Sequence, residues 1–272
     1  MLRTRVITAV VLLLVLLAVL YSGSQIAFSL VLIAFYAGAA WESARLFGKN
    51  SPVLSATIWT IAFAIVVAAQ HFAGMMLLFA LCAAIWAIRL APSLYVGLPP
   101  TSGIGNRLVG GIYGIAIFGS FIAIAVLYQI SAVYLLSAMI IVWIADIGAY
   151  FSGKAFGKRK LAPSISPGKS WEGAIGGWLA VLIVAFAAAH WDTRGLTFFS
   201  RVNEGWGVAG MLGVMTVLVA ASVVGDLFES MLKRRAGMKD SSNLLPGHGG
   251  VLDRVDALIP VLPLVVLLES WI

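Results

Sequence analysis

Residues 131–152 read SAVYLLSAMIIVWIADIGAYFS, a stretch whose only charged residue is Asp146. It is long enough for an α-helix to cross the hydrocarbon of a bilayer, which takes about 20 apolar residues. It lacks the apolar–polar alternation of a barrel strand, so a helix is the reading. A carboxylate inside such a helix is costly and marks a functional position by default, although a polar residue that glues helices together is the plainer alternative. Tyr150 and Gly153 follow Asp146 at spacings of four and seven, near the same helical face.

Working outward, eight further apolar runs emerge, at 7–23, 25–46, 53–70, 72–90, 107–129, 171–190, 206–232 and 253–271. The composition agrees. Of 272 residues, 61% are hydrophobic and 11% charged, and mean hydropathy is +1.02. Soluble domains carry about 25% charged residues. Disorder is excluded on the same grounds. A single cysteine, Cys82, excludes a disulfide framework and a Cys-rich zinc site. His71, His190 and His248 are too far apart for a local His motif. The reading is an all-α, polytopic integral membrane protein of about nine transmembrane helices. The first run, behind Arg3 and Arg5, looks like a signal peptide but lacks a clear small-x-small cleavage site, and is read as a retained helix.

The net charge of +7 could suggest nucleic acid, but the basic residues are arranged for topology. With the N-terminus inside, 16 of the 18 lysines and arginines fall on inside segments, leaving only Arg194 and Arg201 outside. That is the positive-inside pattern, with the C-terminus outside and no nucleic-acid partner implied. Acidic residues are uneven: residues 1–140 hold only Glu42. The expectation is one integrated membrane domain, with scaffold helices in 1–140 and a catalytic region in 141–272 that has cytoplasmic loops at 152–171 and 233–252.

Four more features lie in that second half. In AASVVGDLFESMLKRR, Ser222, Asp226, Glu229, Ser230 and Lys233 form one polar stripe running to a basic end, which must face protein or water. Asp253 and Asp256, in VLDRVDALIP, share one face of a first helical turn, where capping alone would account for either one singly. Before them, residues 237–250 read GMKDSSNLLPGHGG, with His248 between glycines that can bring backbone N–H groups close to a ligand. A second basic loop, SGKAFGKRKLAPSISPGKSWEG at 152–173, contains Gly168-Lys169-Ser170. It is not read as a P-loop, because Pro163 stands at the first glycine position and no strand is expected before it. Its cations and hydroxyls still suit phosphate oxygens.

Hard carboxylates without Cys or clustered His point to Mg²⁺. Cations and glycines around such an ion describe phosphoryl or nucleotidyl transfer at the membrane surface, between a lipid and a water-soluble reactant. A transporter with buried acids would explain Asp146 and the polar stripe, but not the basic, glycine-rich cluster. An inert scaffold would have no use for several costly carboxylates. The DG-x2-AR-x8-G-x3-D-x3-D run of CDP-alcohol phosphotransferases is missing from the sequence. A lipid or polyprenol kinase would be separated by its nucleotide preference.

Residues 230–256, SMLKRRAGMKDSSNLLPGHGGVLDRVD, resemble the signature of the phosphatidate cytidylyltransferases, or CDP-diacylglycerol synthases. Ser230, Lys233, Arg234, Lys239, Asp240, His248, Gly249, Gly250, Asp253, Arg254 and Asp256 stand at the family's positions. Gly225-Asp226 and residues 149–173 also resemble the family, while the first 140 residues do so only in hydropathy. The resemblance implies transfer of CMP from CTP to phosphatidic acid, giving CDP-diacylglycerol and pyrophosphate in phospholipid biosynthesis. It implies Mg²⁺ with room for a second cation, a homodimer, and an inner (plasma) membrane location with the site facing the cytoplasm. The lack of a long soluble N-terminal extension suits a bacterial plasma-membrane enzyme. On this reading Asp226, Asp253 and Asp256 hold metal, and Lys233, Arg234, Lys239 and Arg254 neutralise the triphosphate and pyrophosphate. His248, Gly249 and Gly250 contact phosphate oxygens. Ser166, Lys169, Ser170 and Ser230 serve the substrates, and Asp146 supports the nucleotide or the ion.

Overall fold

The structure, a computed structural model, describes residues 2–72 and 74–272; the side chains of residues 2–6 and 9, with the Arg3 and Arg5 charges counted above, lie outside the described residues. Every apolar run carries a helix, the fourth from Met76 onward. These are α1 (Leu2–Ser22), α2 (Gln25–Leu46), α3 (Pro52–Ala69) and α4 (Met76–Ile85), the last running through a π turn at Trp86–Leu90 into α5 (Ala91–Val96). There follow α6 (Ile104–Ile130), α7 (Ala132–Phe156), α8 (Trp171–Trp191), α9 (Phe198–Arg235), the short α10 (Leu252–Val255) and α11 (Leu258–Glu269). Among the described residues, seven helices are long and apolar enough to cross a membrane, counting Met76–Val96 as one. Polar caps start several of them. Ser24, Ser131, Ser170 and Thr197 each accept a hydrogen bond from a backbone N–H three residues on, satisfying a donor the helix cannot.

Two runs differ from expectation. The eighth begins earlier, at Phe198, and breaks at Gly207, where φ is 65°. The ninth is not one helix from residue 253: the chain turns at Asp256–Ala257 and resumes helix at Leu258. Asp256 Oδ1 accepts the Ala257 N–H at 2.8 Å, which occupies that backbone donor locally. The two aspartates therefore sit on a separate turn ahead of α11. The basic loop at 152–173 is also more structured than expected, forming an antiparallel hairpin of β1 (Lys160–Ala162) and β2 (Ser166–Ser170). A strand thus does precede Gly168-Lys169-Ser170, but those residues lie in extended β2 rather than in a phosphate-cradling loop.

Lipid tails are as apolar as leucine, so helices in a bilayer associate by close packing and hydrogen bonds. The central helix is α6, whose apolar window is 67% buried. Around it, Tyr36 stacks on Phe63 with ring centroids 4.2 Å apart, and Phe121 meets both edge-on. Trp86, Tyr113 and Phe228 form a second aromatic group tying α6 to α9. The α7–α8 pair packs backbone to backbone: a Cβ on Gly148 would lie 2.8 Å from Ala180 Cβ and 3.0 Å from Gly177 Cα. That approach fixes the wall on which Asp146 stands.

Tertiary contacts sort the loops into two ends. At one, Asn106 bonds the Phe47 carbonyl, Arg235 the Pro99 carbonyl and Thr8 the Pro246 carbonyl. At the other, Gln129 meets Gln70, and Tyr134 and Arg201 both hold Glu269. The charged motifs all lie at the first end.

Candidate functional site

Two groups of residues make up the site. The first lines a cleft of about 400 Å³ between α7, α8, α9 and β2. Asp146 reaches it from α7, Lys169 from β2, and Ser222 and Asp226 from α9. Lys169 forms an ion pair with Asp226, both partners 27% exposed, and Ser230 donates to Asp226 Oδ1 at 3.3 Å. Asp146 lies within electrostatic reach of Asp226, Lys169 and Arg254. The hairpin explains how Lys169 arrives there. Glu172, in the first turn of α8, accepts the N–H groups of Lys158 and Arg159, and Ser170 caps α8 through Gly173 N–H, so the entry to β1 and the end of β2 are both tied to the start of α8. The Ser170 hydroxyl is buried in that cap, although the residue lines the cleft. Ser166 pairs with Ala162 at the start of β2 and does not line the cleft.

The second group is the signature loop, folded onto α9 and α2. Lys233 Nζ lies 2.5 Å from Glu229 and 2.6 Å from Asp253; Glu229 is fully buried and the Asp253 side chain is 5% exposed. The other Asp253 oxygen accepts from Ser241 N–H, Ser241 hydroxyl and Gly250 N–H, each at 2.8 Å. Both oxygens of Asp253 are thus engaged by the protein itself. Gly249 (φ 82°) and Gly250 are required by this approach: a Cβ on Gly249 would lie 2.7 Å from Asp253 Oδ2, and one on Gly250 would run into Ser241 and Glu42. These glycines bring the loop onto carboxylates of the chain, and the Gly250 N–H is already spent on one. Arg254 donates from Nε and Nη2 to the His248 carbonyl, and its exposed guanidinium has no further partner among the described residues. Among the described residues, His248 Nδ1 is buried and has no hydrogen-bond partner. Arg234 and Lys239 are exposed at the rim.

Asp256 joins the two groups. A Cβ on Gly225 would lie 2.5 Å from the Asp256 carbonyl and 2.9 Å from the Pro260 ring. The missing side chain lets the α10–α11 turn lie against α9 beside Asp226, whose charge acts on Asp256. The structure therefore brings together Asp146, Lys169, Asp226, Ser230 and Asp256. It sets Lys233, Gly249, Gly250 and Asp253 in an adjoining layer, and leaves Arg234, Lys239 and part of Arg254 at the surface. Among the described residues, no three or more His, Cys, Asp or Glu side chains form a ready-made metal cage. Among the described residues Asp146 has no hydrogen-bond or ion-pair partner, whereas Asp226 is shared with Lys169 and Ser230 and Asp256 gives one oxygen to the Ala257 N–H. Hard carboxylates of this kind fit Mg²⁺, which takes one or two of them and completes its shell with water and substrate phosphate.

Sequence reasoning missed Lys154 as a cleft residue and missed the hydroxyls of Ser241 and Ser242. It also passed over Glu42, fully buried on α2 against the loop. The signal for Glu42 was present, since it is the only acidic residue before Asp146.

Carboxylates and cations gathered at one end of a helical bundle, with a cleft between spans, define a class: a polytopic membrane enzyme with a polar site at the bilayer surface. The comparisons specify it. The cytidylyltransferase family matches residues 3–271. The chain is 39% identical over 270 residues to a phosphatidate cytidylyltransferase of Pseudomonas aeruginosa, covering 97% of this chain and 95% of that one. It is 54% identical over 129 residues to the protein of that name from Haemophilus influenzae, covering 47% of this chain and 43% of the relative. A Staphylococcus aureus phosphatidate cytidylyltransferase matches at 45% identity over 139 residues, half of each chain. The chain belongs to the cytidylyltransferase family and is a nucleotidyltransferase of the membrane.

Proposed function

We propose that this protein transfers CMP from CTP to phosphatidic acid. An oxygen of the lipid phosphate attacks the α-phosphorus of CTP, the bond from that phosphorus to the bridging oxygen breaks, and pyrophosphate leaves as CDP-diacylglycerol forms. The observation that carries the lipid half of this reading is a shared wall. The cleft that holds Asp146, Lys169 and Asp226 borders an almost wholly apolar groove between α8 and α9, with Leu161, Ala174, Val219 and Val223 lining both. Trp171 and Ile175, on the groove, are half exposed on the face a bilayer would cover. An acyl chain in the groove would bring its phosphate to the cleft.

The chemistry needs no protein nucleophile. A phosphate monoester has its second pKa near 6, so the attacking oxygen is already largely ionised at neutral pH. The protein must neutralise charge and align the reactants. Lys169 would meet a phosphate in the cleft, and Arg234, Lys239 and Arg254 would meet the triphosphate arriving from water. Asp226 and Asp256 would hold Mg²⁺, which supplies further charge neutralisation on the triphosphate; a second cation would add to it. Asp253, through Lys233 and the loop, would keep Asp256 and Arg254 in place. The homodimer implied by the sequence belongs to the same reading.

The basic residues at the cleft end support a cytoplasmic orientation by the positive-inside rule, with nine crossings of the inner membrane, N-terminus in and C-terminus out. The test is purified protein in detergent micelles with phosphatidic acid and labelled CTP, with Mg²⁺ or chelator. Equal, Mg²⁺-dependent release of lipid-soluble cytidine and pyrophosphate is the expected result. A folded preparation that binds CTP and forms neither product would sink the proposal.

A further inference from the structure

Glu42 lies near the end of α2, is fully inaccessible to solvent and, among the described residues, forms no salt bridge. All its partners come from residues about 200 positions later in the chain. Oε1 accepts from the Ser242 hydroxyl at 2.5 Å and the Val251 N–H at 3.0 Å. Oε2 accepts from the Leu252 N–H at 2.6 Å and lies 3.1 Å from the Ser241 hydroxyl. Val251 and Leu252 are the backbone donors at the start of α10, the turn that carries Asp253, Arg254 and Asp256. Ser241 has one hydroxyl proton to divide between Glu42 and Asp253, so the two carboxylates are joined through it. The packing agrees. A Cβ on Gly38, one turn before Glu42, would lie 2.9 Å from Val251, and Gly250 has no room for a Cβ against Glu42.

A buried carboxylate without a counter-charge persists only if hydrogen bonds replace its lost hydration. Here they come from both flanks of the signature loop, residues 241–242 and 251–252. We infer that Glu42 is a positioning residue that clamps this loop shut and sets Asp253, Arg254 and Asp256 relative to the cleft. The N-terminal helices thereby contribute to the site and are more than a scaffold. The carboxylate form matters because a glutamine amide at this place offers one acceptor oxygen in place of two. A serine hydroxyl can rotate to accept from the amide nitrogen, but a backbone N–H cannot. Either Val251 or Leu252 is then left facing another donor.

For its kinetic readout the inference rests on the activity proposed above; for its exchange readout it does not. The experiment compares wild type, Glu42→Gln and the milder Ser242→Ala, each purified in detergent. Hydrogen–deuterium exchange is followed for peptides covering 241–252 and, as an internal control, for the hairpin peptide 158–170. Glu42→Gln is expected to exchange faster in 241–252 alone. Its kcat should fall by about 10²-fold, the cost of a misplacement of roughly 1 Å at a reacting centre. Its KM for phosphatidic acid should stay unchanged, since the apolar groove is untouched. Ser242→Ala should shift both readouts the same way but less. Unchanged exchange in the loop, equal acceleration in both peptides, or a looser loop with wild-type turnover would each overturn the inference. If wild type makes no CDP-diacylglycerol, the activity reading fails while the exchange ratio still decides the clamp.

Discussion

Replacing Lys233 by methionine keeps the length of the side chain and removes its charge from between two carboxylates. In the structure the Lys233 side chain is 12% exposed, and its ammonium sits 2.5 Å from Glu229 and 2.6 Å from Asp253. Two unit charges about 4 Å apart attract by about 4 kcal/mol at an effective dielectric of 20, and desolvation offsets much of this. What decides the outcome is the group left behind. Breaking a buried pair by removing one partner costs about 3–5 kcal/mol, because the remaining charge has neither water nor partner. Asp253 keeps three hydrogen bonds from Ser241 and Gly250, so its loss is moderated. Among the described residues Glu229 keeps no other cation, and its second oxygen, Oε1, is buried without a hydrogen-bond partner. Lys233→Met is therefore expected to cost about 3–5 kcal/mol, carried mainly by Glu229. Glu229→Gln leaves the Lys233–Asp253 pair intact and an amide oxygen to accept from Lys233, and should cost only about 1–2 kcal/mol. Adding Glu229→Gln to Lys233→Met should recover stability rather than add to the loss. Reversible unfolding in mixed micelles of rising SDS fraction, followed by tryptophan fluorescence, measures all three. If Lys233→Met costs no more than Glu229→Gln, or the double variant is the sum of the two, the buried triad is not the determinant described here.

Asp253→Asn should still fold, because the amide oxygen can accept the loop donors and Lys233 keeps Glu229 as its partner, yet CDP-diacylglycerol synthesis should fall by about 10²-fold or more; wild-type turnover would remove Asp253 from the machinery. Orientation can be read by thiol labelling against a clean background, since Cys82 is fully buried and Arg194 and Lys239 are both exposed. In intact cells an impermeant maleimide should label Arg194→Cys, and Lys239→Cys only after lysis; the reverse pattern would invert the proposed topology. At the far end, the Ser200 hydroxyl outweighs the cost of desolvation and, together with hydrogen bonds from Thr197 and Leu196, holds the Asp192 carboxyl well below the usual carboxylate range. A depressed pKa means that Asp192 adds stability above its unfolded value of about 3.9 and loses it as pH falls through the folded value. Asp192→Asn should therefore be less stable than wild type at pH 7, with the gap closing only in strong acid; a gap constant with pH would refute this.

Much of this was legible in one dimension. Helix position followed from hydropathy, because a backbone in lipid must satisfy its own hydrogen bonds and a helix does so within a single segment. The charged positions of 230–256 were legible because ions near a membrane are costly and seldom placed without use.

Other features depended on which distant residues meet. The spacing of Asp253 and Asp256 placed both carboxylates on one face of a helix start. The fold instead gives Asp253 to Lys233 and the loop, leaving Asp256 against Gly225 beside Asp226. The glycines around His248 suggested free N–H groups for phosphate, whereas tertiary packing turns Gly250 towards Asp253 and Glu42. Glu42 itself stood out by its rarity, but its partners at 241–252 could not be read from spacing. The sequence by itself determined that this chain is a helical membrane enzyme with a charged, glycine-rich end, because hydropathy, capping and charge cost act over a few residues. Only the tertiary structure decided which carboxylates face the cleft and which hold the loop, because contacts made across some 200 residues of chain leave no periodicity in it.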